Sequence, residues 1–466
     1  MVFYNDYGNK RGEDHEKSDL GCQNLLRRGA FGKDLVYAIV ATFYMFYLTD
    51  ICRISPIFIG NLFLVARLFD AVNDPVMGLV VDNTRTRWGK FRPWILLGTI
   101  LNAIVLVFLF LNPGLDGSRQ LTYIAATYIL WGLTYTLMDI PYWSMIPALT
   151  DDEKERDTIS VIPRIFASVA WMLVGYFGLP LVKQLGDGNQ TSGFFRIAVI
   201  IALVFCVCSA ITFAFVRERE RPLAVRRERT SVKEMIRVLI KNDQVIVVLI
   251  LSLLFNISFQ LSNGFAVFYF KYVIGIENLV SSYLLAAGIA QLCGLFGYPF
   301  FSSWFGRKRV FAASALFPVA GFAVLLLGVF PAEQSLLWWT VFLTGAGVNF
   351  GIGLSLGILT VMLADVVDYG EFKLGSRNES ILFSTQTFVV KLAGALSGFI
   401  TGAGLSLIGF VANQVQSPGT VAGLRVIMGG IPMAFSIVYL LVFWKFYRLD
   451  AAFLRKIRET LAQRKA

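Results

Sequence analysis

The sequence FRIAVIIALVFCVCSAITFAFV occupies residues 195–216 and is followed at once by the charged stretch RERERPLAVRRER at 217–229. A helix that crosses the hydrocarbon core of a bilayer needs about 20 apolar residues. The first stretch has this length and contains one charged residue, Arg196, whereas the second contains six arginines. Together they predict a membrane-spanning helix that ends at a basic, aqueous loop.

The composition of the whole chain extends this interpretation. Of 466 residues, 56% are hydrophobic and 16% are charged, whereas soluble domains have about 45–50% apolar and about 25% charged residues. Roughly 260 apolar residues are enough for about a dozen membrane crossings. The composition therefore excludes a soluble enzyme, a disordered protein and a small secreted domain held together by disulfides.

Cysteine and histidine usage excludes further kinds of site. The five cysteines are odd in number, form no Cys-x-x-Cys pair and lie partly in apolar runs, so we interpret them as small apolar side chains. The single histidine, His15, precedes the first apolar run. A metal centre or proton relay built on histidine inside the membrane is therefore excluded.

Twelve apolar runs predict an all-α polytopic membrane protein with twelve transmembrane helices. One side of the predicted membrane carries 31 of the 42 lysines and arginines, and the opposite loops carry only Arg53 and Arg119. Because basic residues stay on the cytoplasmic side, we expect an inner-membrane protein with both termini in the cytoplasm. The net charge of +11 is then a topology signal and not a sign of nucleic-acid binding. The runs cover residues 35–50, 56–81, 94–111, 121–149, 159–183, 195–216, 244–274, 278–301, 310–330, 336–363, 379–411 and 421–446.

The basic segment 217–243 divides these runs into two sets of six. The connections after the second and eighth runs, Asp82–Arg92 and Gly306–Arg309, repeat a glycine with basic residues 217 positions apart. Duplicated six-span halves are the layout of the major facilitator fold. We therefore predict a cytoplasmic N-terminal extension (1–30) followed by a six-helix bundle (31–216). A basic cytoplasmic loop (217–243) then leads to a second six-helix bundle (244–446) and a cytoplasmic tail (447–466).

Among the ionisable residues inside or beside the apolar runs, eight are the most informative, because each costs roughly 2.5–3.5 kcal/mol at a helix centre. Four are acidic and four are basic, so they can neutralise one another around a shared aqueous cavity. An ionisable group inside the membrane is by default a functional-site hypothesis, and helix packing is the alternative. The eight are Lys33, Asp34, Arg67, Asp70, Asp74, Asp139, Arg164 and Lys391.

Helical spacing places four polar side chains of the second run on one face. At 100° per residue, Arg67, Asp70, Asn73 and Asp74 fall within an arc of about 120°. Two carboxylates one turn apart repel each other unless a cation lies between them. Carboxylate, amide and hydroxyl oxygens are the ligands of a hard cation, so this face indicates a cation site.

The fourth run has a second polar face, on which Thr136, Asp139 and Trp143 follow one another at i, i+3 and i+7. An indole ring packs against the C–H face of a pyranose while charged groups bind its hydroxyls, so this face favours a sugar. An aromatic residue of the membrane interface is the alternative. Substrate sites of transporters lie at the interface of their repeats, where we expect these faces to meet that of the eleventh run: Gln386, Thr387 and Lys391.

Taken in order, these motifs resemble the glycoside–pentoside–hexuronide:cation symporters of the major facilitator superfamily, and among them the melibiose permeases. The resemblance extends from about residue 29 to the last span. It rests on AFGKD at 30–34, AR at 66–67 with DAVNDP at 70–75, RWGKFRPW at 87–94, WGLTYTLMDIPYW at 131–143, DVVDYGEFK at 365–373, and QT at 386–387 with Lys391.

The resemblance implies a monomeric symporter and not an enzyme, with no cofactor beyond a coupling cation, which is sodium, lithium or a proton. Its partners would be a small sugar, that cation and membrane lipid. It assigns the cation site to Asp70, Asn73, Asp74 and Thr136, and any sodium or lithium would bind only there. It assigns the sugar cavity to Lys33, Asp34, Arg67, Asp139, Trp143, Arg164, Thr387 and Lys391, and charged loops sealing the cytoplasmic side to Arg156, Asp365, Asp368 and Glu371.

The chain departs from the melibiose permeases at one wall of the sugar site, because Leu356 occupies a position where they carry tryptophan. We expect cation-coupled symport of melibiose or a related galactoside by alternating access. A different glycoside, a pentoside or a hexuronide is the first alternative. A membrane-embedded enzyme and a lipid carrier or non-transporting sensor on the same fold are the others. Residues 1–28 and the tail receive no role from the resemblance.

Overall fold

The computed structural model describes residues 30–145, 153–215, 241–375 and 379–465. Within these residues twelve helices are long and apolar enough to cross a membrane, which confirms the predicted fold class. They are α1 (Ala30–Ile51), α2 (Pro56–Asn83), α3 (Arg92–Leu109), α4 (Gly117–Met145), α5 (Glu153–Gly186), α6 (Gln190–Phe215), α7 (Asp243–Ile274), α8 (Leu279–Phe305), α9 (Arg307–Leu327), α10 (Gln334–Leu374), α11 (Glu379–Leu407) and α12 (Pro418–Phe446). A further helix, α13 (Ala451–Lys465), follows them.

Helix α10 is longer than the apolar run that predicted it. It has 41 residues and ends at Leu374, whereas the run ends at 363. The expectation that Asp365, Asp368 and Glu371 belong to a loop is therefore wrong, because they lie on the last turns of this helix. The charged segment contains no proline, and the helix ends only at Gly375, whose left-handed backbone (φ +75°) caps it.

The described helices belong to two compact units. The first contains α1 up to Tyr47, α2 from Leu68 onward, and α3 to α6. Its core is aromatic: the rings of Phe110 and Phe194 stack with centroids 5.7 Å apart, and Tyr44 packs edge-on against Phe110. These rings are fully buried and fix the part of α1 that follows the candidate site.

The second unit contains α7 to α13 together with residues 48–67. Small residues allow close helix contacts in it: a Cβ atom at Gly60 of α2 would lie 3.1 Å from the Cα atom of Gly402 of α11. On its other helices the ring of Phe311 stacks on Tyr439 and Phe443. The six-helix halves predicted at 31–216 and 244–446 stay a prediction.

Other predicted segments are described only in part. Residues 1–29 of the predicted extension and 216–240 of the basic loop region lie outside the described residues. The predicted tail, 447–466, contains the helix α13.

Candidate functional site

The first cluster of charged residues joins α1 to α4. The Nζ atom of Lys33 donates to Oδ1 of Asp139 at 2.7 Å, and it lies 3.7 Å from Oδ2 of Asp34. The indole Nε1–H of Trp143 donates to the same Asp139 oxygen at 3.1 Å. Four residues of the predicted sugar cavity therefore lie together within the first unit.

Burial differs sharply across this cluster. The Lys33 side chain is 4% exposed, whereas that of Asp139 is 23% exposed. The ammonium group also lies 4.8 Å from the ring centroid of Trp143, 5.3 Å from that of Tyr142 and 5.9 Å from that of Tyr135. Carboxylates and aromatic faces thus stabilise the buried cation, and the Asp139 carboxylate keeps surface with which to bind another molecule.

The second cluster joins α2 to α4. The hydroxyl of Thr136 donates to Oδ1 of Asp74 at 3.1 Å. Asp70 is buried, and its Oδ1 atom faces Gly132, where a Cβ atom would lie 3.0 Å from it. Asn73 is half-buried on the same helix. Glycine at 132 therefore makes room for a carboxylate, and oxygen atoms of the types a hard cation binds line this part of α2 and α4.

Both helices carry a proline at the level of these carboxylates. Pro75 and Pro141 have no N–H group, so the carbonyl oxygens of Ala71 and Leu137 lack their usual helical donor. On the far side of α4, a Cβ atom at Gly98 of α3 would lie 2.9 Å from the carbonyl carbon of Leu137. Helix α3 therefore supports the turn of α4 that lies between the two clusters.

Sequence reasoning missed three residues of these clusters. Tyr135 and Tyr142 face the Lys33 ammonium, and their spacing from Asp139, four before and three after, is the signal that places them on its face of α4. Gly132 gave no such signal, because a glycine inside a membrane helix is common and only the fold shows which carboxylate it accommodates.

The remaining predicted residues are distributed as follows. Arg67, Thr387 and Lys391 belong to the second unit, where Arg67 and Lys391 are half-buried and Thr387 is exposed. The side chains of Arg164 and Arg156, both on α5, lie outside the described part of the structure. Convergence of the two sets of sugar residues stays a prediction.

Among the described residues, no three or more histidine, cysteine, aspartate or glutamate side chains are grouped so that they could hold a metal ion. The predicted cation site contains an amide and a hydroxyl besides its two carboxylates, and it stays a prediction.

A third charged cluster lies at the end of α10. The Asp365 carboxylate, 1% exposed, accepts from Arg307 of α9 at 2.8 Å and from Arg458 of α13 at 3.1 Å. Arg458 also lies 3.5 Å from Asp368. Burial raises the pKa of the nearby Tyr447 well above its usual range, and the Asp365 carboxylate acts in the same direction. Two of the predicted gate residues thus fix α13 on α10.

Leu356 marks the predicted departure from the melibiose permeases, and this departure stays a prediction. Leu356 lies on α10 and is 38% exposed. A leucine side chain has no aromatic face.

Comparison with known proteins identifies the family. Residues 27–451 match the family described as MFS/sugar transport protein. The chain is 30% identical over 440 residues to the isoprimeverose transporter of Lactiplantibacillus pentosus, covering 94% of this chain and 91% of that protein. It is also 30% identical over 440 residues to the inner membrane symporter YicJ of Escherichia coli (strain K12), covering 94% of each.

Solved structures support the fold at lower identity. The nucleoside transporter NupG superposes with a TM-score of 0.63 and 15% identity, covering 92% of this chain and 100% of that one. These relatives are transporters, and the protein is a multi-pass membrane transporter and not an enzyme. The chain belongs to the MFS/sugar transport protein family, as a member of the glycoside–pentoside–hexuronide:cation symporters of the major facilitator superfamily.

Proposed function

We propose that this protein carries a glycoside together with a monovalent cation across the bacterial inner membrane by alternating access. One observation carries the proposal: α4 holds both clusters within a single turn. Thr136 binds Asp74, and Asp139, three residues later, binds Lys33 and Trp143. A movement of this turn therefore changes the positions of Thr136 and Asp139 together, and with them the geometry of both clusters.

The sugar side of the proposal depends on Asp139. Its carboxylate is held in place by Lys33 and Trp143 and is still 23% exposed. A carboxylate makes strong hydrogen bonds to hydroxyl groups, and the Trp143 ring beside it offers an apolar face. This combination fits a pyranose, which has hydroxyls on its edge and C–H groups on its face.

The cation side depends on the carboxylates of α2. A bound monovalent cation offsets one of the two negative charges of Asp70 and Asp74 and so reduces their repulsion, fixes Thr136 and thereby fixes the turn of α4 that carries Asp139. The sugar then binds more tightly to the cation-loaded protein, and the cation more tightly to the sugar-loaded protein, because coupling between two sites is reciprocal. One positive charge moving through 100 mV releases about 2.3 kcal/mol, which supports roughly fifty-fold accumulation of the sugar.

We propose melibiose or a related galactoside as the first substrate to test. The family and the names of the relatives support the sugar and symporter classes. Because Leu356 offers no aromatic wall, another glycoside, a pentoside or a hexuronide is the second candidate. Sodium, lithium and protons are all candidates for the coupling ion, and we further propose a monomer with both termini in the cytoplasm.

Uptake into right-side-out membrane vesicles tests the proposal. Radiolabelled melibiose, lactose, a xyloside and a glucuronide are each supplied with a sodium, lithium or proton gradient. We expect one sugar to accumulate with one gradient, and the Asp70→Cys variant to lose cation stimulation while it still reaches the membrane. Asp187→Asn is the matched control, because Asp187 is an exposed carboxylate paired with Arg196 at 3.2 Å. Cation stimulation that survives in Asp70→Cys would refute the assigned cation site.

A further inference from the structure

A further buried ion pair lies at the opposite end of α1 from Lys33. The Asp50 cluster consists of Thr49, Asp50, Lys271, Tyr272 and Asn413. The Asp50 carboxylate accepts from Lys271 at 2.6 Å and from the hydroxyls of Tyr272 and Thr49. Seventeen residues separate this aspartate from the lysine of the candidate site, or about 25 Å along a helix, so the two clusters are separate.

The contacts of the Asp50 cluster extend to the backbone. The amide Nδ2 of Asn413 donates to the main-chain carbonyl of Asp50 at 2.6 Å, its Oδ1 accepts from Lys271 at 3.0 Å, and its own N–H donates to the Tyr272 hydroxyl at 2.9 Å. Asn413 has a left-handed backbone, φ +59°, which asparagine tolerates better than most residues. Three segments distant in sequence are therefore joined through one side chain.

Burial of the Asp50–Lys271 ion pair has a cost in free energy, because both charged groups lose water. The Asp50 side chain is 1% exposed and that of Lys271 is 20% exposed. Buried ion pairs are rarely a gain in stability over apolar packing, and ionisable groups kept inside membrane spans mark functional positions. Hydrogen bonds from two hydroxyls and a lysine satisfy the carboxylate, so the pair is stable as long as all partners stay in place.

Both helices that carry the pair end in a π-helical turn. The turn Tyr47–Ile51 ends α1, and the turn Phe270–Ile274 ends α7. Such turns are rare and occur often at functional sites. Here each distorted turn contributes one charge of the pair, so the two helix ends are shaped for this contact.

The Asp50 cluster also lies where the chain passes between units. Tyr47 belongs to the first unit, and residues 48–67 belong to the second, together with Lys271, Tyr272 and Asn413. The cluster is therefore the first fixed point of this segment on the second unit. The contact of Gly60 with Gly402 is a later one on the same segment.

We propose that the Asp50 cluster is a latch that holds residues 48–67 on the second unit in the state described here, and that it opens during each transport cycle. The proposal rests on the proposed function, since only a transporter that changes state needs such a latch. The ion pair gives the latch two discrete states, with partners either all in place or separated, as a conformational switch requires.

Labelling of Cys52 tests the latch without any substrate. Cys52 is half-buried two residues beyond Asp50, and its reaction with N-ethylmaleimide in the purified full-length protein is followed by peptide mass spectrometry. In Asp50→Asn we expect labelling to accelerate at least about tenfold, since removing one partner of a buried ion pair strongly destabilises it. Cys293, which is exposed on α8, reports general reactivity in the same molecule, and Asp187→Asn is the control variant.

A milder variant keeps the test decisive if Asp50→Asn fails to fold. Tyr272→Phe removes one hydroxyl and preserves the ring, and we expect about fivefold faster labelling, the effect of one hydrogen bond. Unchanged Cys52 labelling in both variants, relative to Asp187→Asn, overturns the latch.

Uptake measurements on the same variants test the role in the cycle. We expect the initial rate of sugar uptake to fall about tenfold in Asp50→Asn while sugar binding is retained. Faster labelling with unchanged uptake overturns the role in transport. If the wild-type protein shows no cation-dependent uptake, the proposed function fails, whereas the labelling result stands by itself.

Discussion

Two of the buried ion pairs in the described part of the chain have opposite arrangements. In the Lys33 cluster the cation is buried, 4% exposed, and the Asp139 carboxylate is 23% exposed. In the Asp365 cluster the carboxylate is buried, 1% exposed, and its partners Arg307 and Arg458 are 44% and 56% exposed. The first pair leaves its hydrogen-bond acceptor open to a ligand, and the second surrounds its acceptor with donors.

We propose that this difference separates a binding site from a structural contact. A ligand hydroxyl that approaches Asp139 finds a positioned carboxylate that needs no rearrangement. At Asp365 both oxygens already accept from arginines. In these two clusters, the partner that is exposed distinguishes the proposed binding site from the structural contact.

Removing the open acceptor gives the largest expected effect. In Asp139→Asn we expect the initial rate of uptake to fall about a hundredfold, since a hydrogen bond to a charged group contributes about 1.5–3 kcal/mol. Lys33 keeps Asp34 at 3.7 Å, so the protein stays folded. Uptake in vesicles and a thermal melt of the purified variant measure the two effects. Near-normal uptake would show that the exposed Asp139 carboxylate is not needed for transport, and it would contradict the proposed difference between the two clusters.

Filling the space beside Asp70 gives the next largest effect. In Gly132→Ala the new methyl group would lie 3.0 Å from the Asp70 carboxylate, and overpacking costs about 1–3 kcal/mol. We expect the cation concentration for half-maximal uptake to rise roughly tenfold. Gly78→Ala on α2 is the control, because a Cβ atom there meets nothing within 4 Å. Equal cation dependence in both variants would contradict the assignment.

Trp143→Phe sharpens the role of the indole. Phenylalanine keeps an aromatic face near Lys33 and loses the Nε1–H bond to Asp139. We expect sugar binding to weaken about fivefold, the effect of one hydrogen bond of about 1 kcal/mol. Isothermal titration with the transported sugar measures it. No loss of affinity would show that the indole N–H does not position the carboxylate.

The smallest effect is expected in the Asp365 cluster. Arg458 is 56% exposed, and exposed ion pairs contribute about 0–1 kcal/mol. In Arg458→Gln we therefore expect the melting temperature to fall by no more than about 2 °C and uptake to stay near normal. A collapse of uptake in this variant would give the Asp365 cluster a direct part in transport.

Hydropathy predicted the spans well because each membrane helix must satisfy its own backbone and so has a fixed apolar length. The same reasoning failed at Asp365 and Asp368. It ended the tenth span at the first charges, whereas the helix continues to Leu374 in the absence of proline. Apolar length predicts where the membrane ends, and caps decide where the helix ends.

The sequence also did not predict contacts between residues that are distant along the chain. Asp50 and Lys271 both lie in predicted apolar runs and have opposite charges, a signal that could have placed them among the ionisable residues of the membrane. Their pairing, like that of Asp365 with Arg458 from α13, depends on how helices more than 90 residues apart pack. By contrast, Thr136, Asp139 and Trp143 share one helix, so periodicity alone placed them on one face.

The central claim is that the α4 turn couples the cation to the sugar. Titration of the purified protein with melibiose, or with the sugar that accumulates in the uptake panel, in the presence and absence of saturating sodium, lithium or protons tests it directly. We expect one cation to lower the Kd of the sugar, and the sugar to lower the Kd of that cation by the same factor. A sugar Kd that is the same with and without every cation would contradict it.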